Sequence, residues 1–322
     1  MKRIFLTGAA GFVGSWLARH LVEQGYEVFA LLRDAIPIEG VELITGELQS
    51  IETLERAISE CEIDTVFHLG AQAIVEVGLR SPFLTFESNI RGTYNLLEVC
   101  RRHPTLVKRI LVASTDKAYG ASPILPYTEE MPLAGRHPYD VSKSCADLIA
   151  LTYAHTYGLP IVIARCGNIY GGGDLNWSRL IPGTIRSLAE GQAPLIRSDG
   201  TFTRDYLYVE DAVSAYIAMA RHADQPGVQG EAFNFGPQQP HTVLDVIYAI
   251  QEQMGLTHLK PIIQNRARAE IRDQTLDFTK ARTRLNWMPR FSLQEGLART
   301  ISWYLEALNL QGASAGRTEY RG

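Results

Sequence analysis

The chain has 322 residues, 46% of them apolar, and carries 31 basic against 35 acidic side chains for a net charge of −4. That length provides ample core for one large domain or two fused ones, and the near-balanced charge implies no surface for nucleic acid. No run of eighteen apolar residues is present, so no membrane partner is expected, and residues 1–20 read as a nucleotide fingerprint instead of a cleavable signal. Cys61, Cys100, Cys145 and Cys166 show no Cys-x-x-Cys spacing and sit in apolar segments. That pattern predicts reduced thiols in a cytoplasmic protein, with neither a disulfide framework nor a metal site.

Taken in chain order, Lys2–Thr7 reads as a short buried strand, followed at once by Gly8-Ala9-Ala10-Gly11-Phe12-Val13-Gly14. A helical pattern runs through Trp16, Leu17 and Leu21 to Gly25, and Tyr26–Leu32 reads as a second buried strand. Strand, glycine turn, helix, strand is the context a dinucleotide site needs. Gly8 permits the tight turn, Gly11 the close approach of a pyrophosphate, and Gly14 the packing of the helix on the sheet. Free N–H groups at the helix start then bind phosphate. Sites for NAD usually place an acidic residue at the end of the second strand. Here the stretch is Leu31-Leu32-Arg33-Asp34, and Arg33 can pair with a 2′-phosphate. NADP is favoured over NAD on that ground, while Asp34 beside it leaves NAD open.

Strand candidates continue at Val41–Thr45, Asp64–Leu69, Arg109–Ala113 and Pro160–Arg165, with a helix from Asn89 to Arg102 between them. The alternation predicts an α/β fold, a Rossmann-type doubly wound parallel sheet. Residues 1–168 are assigned to this domain, with later segments returning to it. Residues 169–310 are assigned mainly to a smaller C-terminal α/β lobe that holds substrate, and residues 311–322 to a loose tail.

The chemistry-bearing stretch is Ala113-Ser114-Thr115-Asp116-Lys117-Ala118-Tyr119-Gly120, followed by Tyr139-Asp140-Val141-Ser142-Lys143. Tyr139 and Lys143 are four residues apart, so in a helix their heads share one face. Pro138 and Asp140 suit its first turn, and Gly158 its end. A nearby ammonium is expected to bring the phenol of Tyr139 from about pH 10 toward the working range of a base. Alone, such a pair is equally the solvated face of a helix; after a dinucleotide fingerprint it reads as a set for hydride chemistry on an alcohol. Asp116-Lys117 offers a second acid/base pair that simple alcohol oxidation does not require.

Together these segments resemble the extended short-chain dehydrogenase/reductases along essentially the full length. The resemblance is carried by Thr7–Gly14, His68-Leu69-Gly70-Ala71-Gln72, Asn89-Ile90-Arg91-Gly92-Thr93, Tyr139-x-x-x-Lys143, Arg204-Asp205-Tyr206 through Asp211, and Asn234-Phe235-Gly236. Thr115-Asp116-Lys117 is similar to nucleotide-sugar 4,6-dehydratases, and with Gly14-Ser15-Trp16-Leu17 to CDP-glucose 4,6-dehydratases. Gly70 stands where the family often has Ala, a change expected to be tolerated.

The resemblance implies a tightly bound, recycled NADP or NAD held by Gly8, Ala10, Gly11, Phe12 and Val13. Arg33, Glu47, Leu48, Leu69 and Ala71 join that site, together with Tyr139 and Lys143. It implies a nucleotide sugar contacted by Gln72, Asn168, Asn176, Arg179, Arg204 and Arg272. Thr115, Tyr139 and Lys143 would run the oxidation at C4, with Asp116 as acid and Lys117 as base in the elimination; exchanged roles fit equally. His68 and Asp211 are expected to be structural. The helices Leu84–Leu97 and Tyr139–Tyr157 resemble the pair forming a four-helix homodimer interface, although packing inside one subunit accounts for the same stripes. A 4-epimerase would need only Thr115, Tyr139 and Lys143, and a non-catalytic dinucleotide-binding protein neither set.

Overall fold

The computed structural model describes residues 1–34, 36–266 and 270–318, with side chains through residue 308. Its strands are β1 (Arg3–Thr7), β2 (Glu27–Leu32), β3 (Val41–Thr45), β4 (Thr65–His68), β5 (Arg109–Thr115) and β6 (Ile161–Cys166). Then follow β7 (Asn168–Tyr170), β8 (Leu195–Ile196), β9 (Thr203–Tyr208), β10 (Glu231–Phe235), β11 (Pro240–Thr242) and β12 (Ile262–Ile263). The helices begin with α1 (Phe12–Glu23), α2 (Ile51–Glu60), α3 (Val75–Arg80), α4 (Pro82–Phe86), α5 (Gly92–Arg102) and α6 (Pro138–Tyr157). They end with α7 (Leu180–Ala189), α8 (Val209–His222), α9 (Val243–Met254), α10 (Thr279–Leu285) and α11 (Leu293–Thr318).

Seven strands form one sheet in the order β10-β6-β5-β4-β1-β2-β3, every pair parallel. The inner strands are unbroken apolar runs because both faces are covered. One face packs on α1 and α8 through Leu17, Leu21, Ala212 and Met219. The other packs on α2, α5 and α6 through Leu54, Ile58, Leu96 and Ala150. The chain leaves β1 toward β2 and β3 on one side and returns to β4, β5 and β6 on the other. That reversal opens a crevice at the carboxyl ends of β1 and β4, where ligands of such sheets sit. α6 starts with Pro138 at its first turn and stops at Gly158, whose φ of 70° is left-handed, as its sequence predicts.

The strand β10 returns to the sheet edge beside β6, pairing Asn234 with Arg165. The remaining strands build a three-stranded sheet β11-β9-β7 and a small pair β12-β8. α7, α9 and α11 cover the three-stranded sheet through Ile185, Ile250, Leu297 and Tyr304. Residues 311–318, the first part of the expected tail, continue α11, and 319–322 lie outside the described residues.

Candidate active site

At the crevice, the turn after β1 is shaped by backbone contact. Gly8 has φ +79°, and a Cβ there would lie 2.8 Å from Gly70 N; one on Gly14 would lie 2.0 Å from Gly8 O. Gly11 and Ala10 are exposed, and α1 starts without a side-chain cap or an acidic residue in its first turn. Uncapped N–H groups at the positive end of a helix, under an open glycine turn, fit a pyrophosphate. Phe12 is half-buried, while Val13, Leu69 and Ala71 line a cleft of about 490 Å³ that runs on from this turn. Arg33 and Glu47 are exposed just beyond β2 and β3, and Leu48 packs against Gly92. The residues present therefore fit a nicotinamide dinucleotide. A Cβ at Gly70 would stand 2.9 Å from Thr7 Oγ1 and 3.0 Å from Leu48 Cδ1, so the small residue is fitted to its neighbours.

His68 is fixed behind this wall. Thr93 Oγ1 donates to Asn89 O, so it accepts from His68 Nε2–H, while Thr7 Oγ1 accepts from Gly70 N and donates to His68 Nδ1. Burial, with the charge of Lys143, pushes the imidazole down to about 3. It is a neutral strut, as its place in a buried strand suggested. Asn89, 1% exposed, binds Gln72 N and O and also donates to Ser142 Oγ. It thereby ties the loop after β4 to α6.

Thr115 at the end of β5 and Tyr139 and Lys143 on α6 meet in the cleft, as does Lys117 from the 3₁₀ turn Asp116–Tyr119. Lys143 Nζ donates to Ala113 O at 2.5 Å, and burial lowers it to about 8. The expected lowering of the phenol is not found in the protein by itself. Burial pushes Tyr139 up to about 12, aided by the charges of Asp116 and Asp140 and opposed by Arg179 and a hydrogen bond with Thr115. Desolvation of the phenolate outweighs the neighbouring cations.

Asp116 lies beneath the cleft wall, 1% exposed, with Oδ1 accepting from Thr115 Oγ1 at 3.0 Å and Oδ2 without a partner. Lys117 Nζ is 3.6 Å from Asp116 Oδ1 and donates to Asn168 Oδ1 at 2.9 Å. Five consecutive elements thus converge, because the parallel register sets Thr115 beside Cys166, two residues before Asn168.

Toward the three-stranded sheet, the cleft is lined by Arg179, Arg197, Arg204 and Arg266, with Asp174, Glu76 and Glu270 beside the first three; guanidinium groups so placed suit a diphosphate. Arg179 pairs with Asp174 at 3.0 Å, and Asn176 Oδ1 accepts from Ser178 Oγ. Arg204 is more committed than its motif suggests: it donates to the carbonyls of Thr203, Ile271 and Arg272. Arg272 is not brought to the cleft. Its side chain is 62% exposed and bonds Thr201 Oγ1 outside it. Gln72 turns its side-chain oxygen to Ile74 N. Arg197, paired with Glu76 across the cleft, and Arg266 were not singled out by sequence, since neither belongs to a motif. Asp211 is structural, as expected, but it holds a loop: it accepts from Arg290 N and Phe291 N, just before α11.

Residues 4–236 match the model of the NAD dependent epimerase/dehydratase family. The chain is 30% identical over 326 residues to CDP-glucose 4,6-dehydratase of Salmonella typhimurium, covering 94% of this chain and 90% of that one. Among solved structures, it is similar to dTDP-glucose 4,6-dehydratase of Bacillus anthracis in complex with NAD (TM-score 0.84, 28% identity, 95% and 97% of the two chains). It is also similar to UDP-glucose 4-epimerase of Thermotoga maritima with UDP-glucose (TM-score 0.87, 29% identity, 95% and 99%).

Proposed function

We propose, starting from a chain that belongs to the NAD dependent epimerase/dehydratase family, that it is a nucleotide-sugar 4,6-dehydratase acting on CDP-glucose. The product is the CDP-4-keto-6-deoxyhexose. The observation that carries this reading is the Asp116-Lys117 pair beside Tyr139, a second acid/base set touching the first through Thr115. The likeness to a CDP-glucose 4,6-dehydratase supports the choice of sugar nucleotide.

A dinucleotide held by the glycine turn would supply the hydride acceptor for the oxidation and the donor for the return, unchanged over a turnover. Tyr139 takes the proton of the 4-hydroxyl as C4 is oxidised, with Thr115 bonding its oxygen and Lys143 holding a charge nearby. The 4-ketone acidifies C5–H. Lys117 removes that proton, and Asp116, whose Oδ2 has no partner, supplies the proton with which the 6-hydroxyl leaves as water; hydride returned to C6 and the proton given back to C5 by Lys117 complete the product. Arg179 and Asn176 are assigned to the substrate with Asn168, and Arg204 to the frame that holds its diphosphate end. Residues 169–310 serve mainly as the substrate lobe.

For the cofactor, Arg33 favours NADP, being exposed and without an ion pair among the described residues. The B. anthracis relative holds NAD. The described residues contain no helix long and apolar enough to cross a membrane, and all four cysteines are free, which supports a cytoplasmic enzyme. A homodimer through α4, α5 and α6 is the assembly we favour.

The likeness to a 4-epimerase favours a second reading in which only Thr115, Tyr139 and Lys143 act. Product mass separates the two on CDP-, GDP-, UDP- and dTDP-sugars: loss of one water marks the dehydratase, an isomer the epimerase. Tyr139→Phe is expected to abolish cofactor reduction as well as product. Asp116→Asn and Lys117→Met are expected to spare the first oxidation and slow elimination by ~10²–10⁴-fold. Reduced nicotinamide should then build up in a single turnover, read by absorbance. Dehydration at the parental rate in both variants would replace this reading with the epimerase.

A further inference from the structure

Among the described residues, Gln274 is the one amide whose Nε2 and Oε1 are both buried and both without a hydrogen-bond partner. It is 1% exposed, yet it lines the cleft with Arg204 and Tyr206. Buried amides are ordinarily paired, and an unpaired one in a polar cleft points to a ligand group that completes it.

The segment around Gln274 does not let the amide swing out to water. Its backbone N–H donates to Thr203 O at 3.1 Å. On one flank Arg204 grips the carbonyls of Ile271 and Arg272; on the other Asp205 Oδ2 accepts from Thr275 Oγ1 at 2.9 Å and Leu276 N at 2.7 Å. The backbone that carries the amide is therefore fixed before anything binds, and burial confines the side chain, which is how a recognition group is built.

Its chemistry restricts the occupant. A carboxylate or phosphate offers acceptors only, so it could meet Nε2 but would leave Oε1 unpaired. A sugar hydroxyl both donates and accepts, so it meets Oε1 and Nε2 together. The guanidinium groups of Arg179, Arg197 and Arg266 already provide for the anionic part of the substrate. Resting on the nucleotide-sugar reading above, we infer that Gln274 is a specificity residue that pairs with the hydroxyls of the hexose and selects a neutral sugar over a sugar carboxylate.

The test is calorimetric binding of CDP-glucose against CDP to the protein loaded with whichever of NADP and NAD it binds more tightly, with the UDP and dTDP pairs in parallel. Gln274→Met keeps the length and removes both hydrogen bonds. It is expected to lose roughly 10–100-fold in affinity for the sugar nucleotide that the wild type prefers. Affinity for the matching nucleotide alone should stay within about threefold. Its ligand-free melting temperature should be unchanged or higher, which a residue with a structural partner would not show. The wild type should gain less from UDP-glucuronate over UDP than from UDP-glucose, and Gln274→Met should narrow that difference. Retention of the sugar-dependent gain in Gln274→Met, an equal loss for the bare nucleotide, or a wild type that gains nothing from any sugar would overturn the inference. A Gln274-dependent preference for UDP-N-acetylglucosamine over UDP-glucose would overturn the choice of hydroxyls. Failure of the dehydratase reading is separate: it shows as a product that has lost no water, with these affinities intact.

Discussion

At neutral pH Lys143 carries its charge in a buried site, with the backbone oxygen of Ala113 as its hydrogen-bond partner. Its folded value of about 8 lies below the unfolded 10.5, so the cost of burying the ammonium is full below pH 8. That cost fades as pH rises from 8 to 10.5, where the folded state has already released the proton. Lys143→Met should therefore stabilise the ligand-free protein by up to about 3 kcal/mol at pH 7, a gain that shrinks toward pH 10.5, while abolishing turnover. Urea melts at pH 7 and pH 10 check both the sign and the window. The i, i+4 spacing of Tyr139 and Lys143 was legible in sequence because a helix places such heads together. Their proton affinities were not, since these depend on burial by residues far along the chain. Gln274 was invisible for the same reason: its place is set by Arg204 and Asp205, about seventy positions earlier.

At the next scale, the π-helical turn Glu87–Arg91 joins α4 to α5. Apolar periodicity reads this stretch as plain helix, because one wide turn leaves the flanking stripes nearly in phase. The wide turn presents Asn89 to Gln72 and Ser142. Asn89→Ala removes three hydrogen bonds, two to the loop after β4 and one to the helix bearing Tyr139. It should destabilise the fold by about 1–3 kcal/mol. A fall of ~10-fold or more in kcat/KM is expected beyond that, because a small misplacement of reacting groups is costly. Steady-state kinetics at a temperature where the variant is fully folded separates the two effects. The first six strands, β1 to β6, were legible in the sequence as apolar runs bounded by Gly and Asp; β7 to β12, short or mixed in polarity, were not. β5 extends two residues further than its apolar run, to Thr115, because Ser114 and Thr115 pair with β6.

For the whole molecule, apolar side chains gather on the outer face of the α4–α6 layer. Phe83 is 70% exposed, Leu84 60% and Leu148 53%, with Tyr94 and Tyr157 also open. Isolated exposed apolar residues are ordinary, but several on adjacent helices mark an interaction face. If that face is the dimer seam, the double variant Phe83→Glu, Leu148→Glu should sediment as a monomer at concentrations where the parent is a dimer. Each protomer should keep its melting cooperativity. A parent that is monomeric throughout would assign the face elsewhere. That later segments return to the sheet was expected, but which strand returns, at which edge, and the strap after residue 270 were beyond sequence reading, since no local pattern states which edge a late strand joins.

The grip of Arg204 and Asp205 on the segment 271–276 divides the protein's labour. The groups assigned to bond breaking come from one stretch, residues 115–143, seated on the central sheet. The segment proposed to face the sugar hangs from a different sheet mainly by its own backbone carbonyl and N–H groups, gripped by Arg204 and Asp205. Mutations along that strap can therefore retune what is recognised while the reactive constellation stays untouched. Such modularity would let descendants of one chain diversify in substrate without relearning their chemistry.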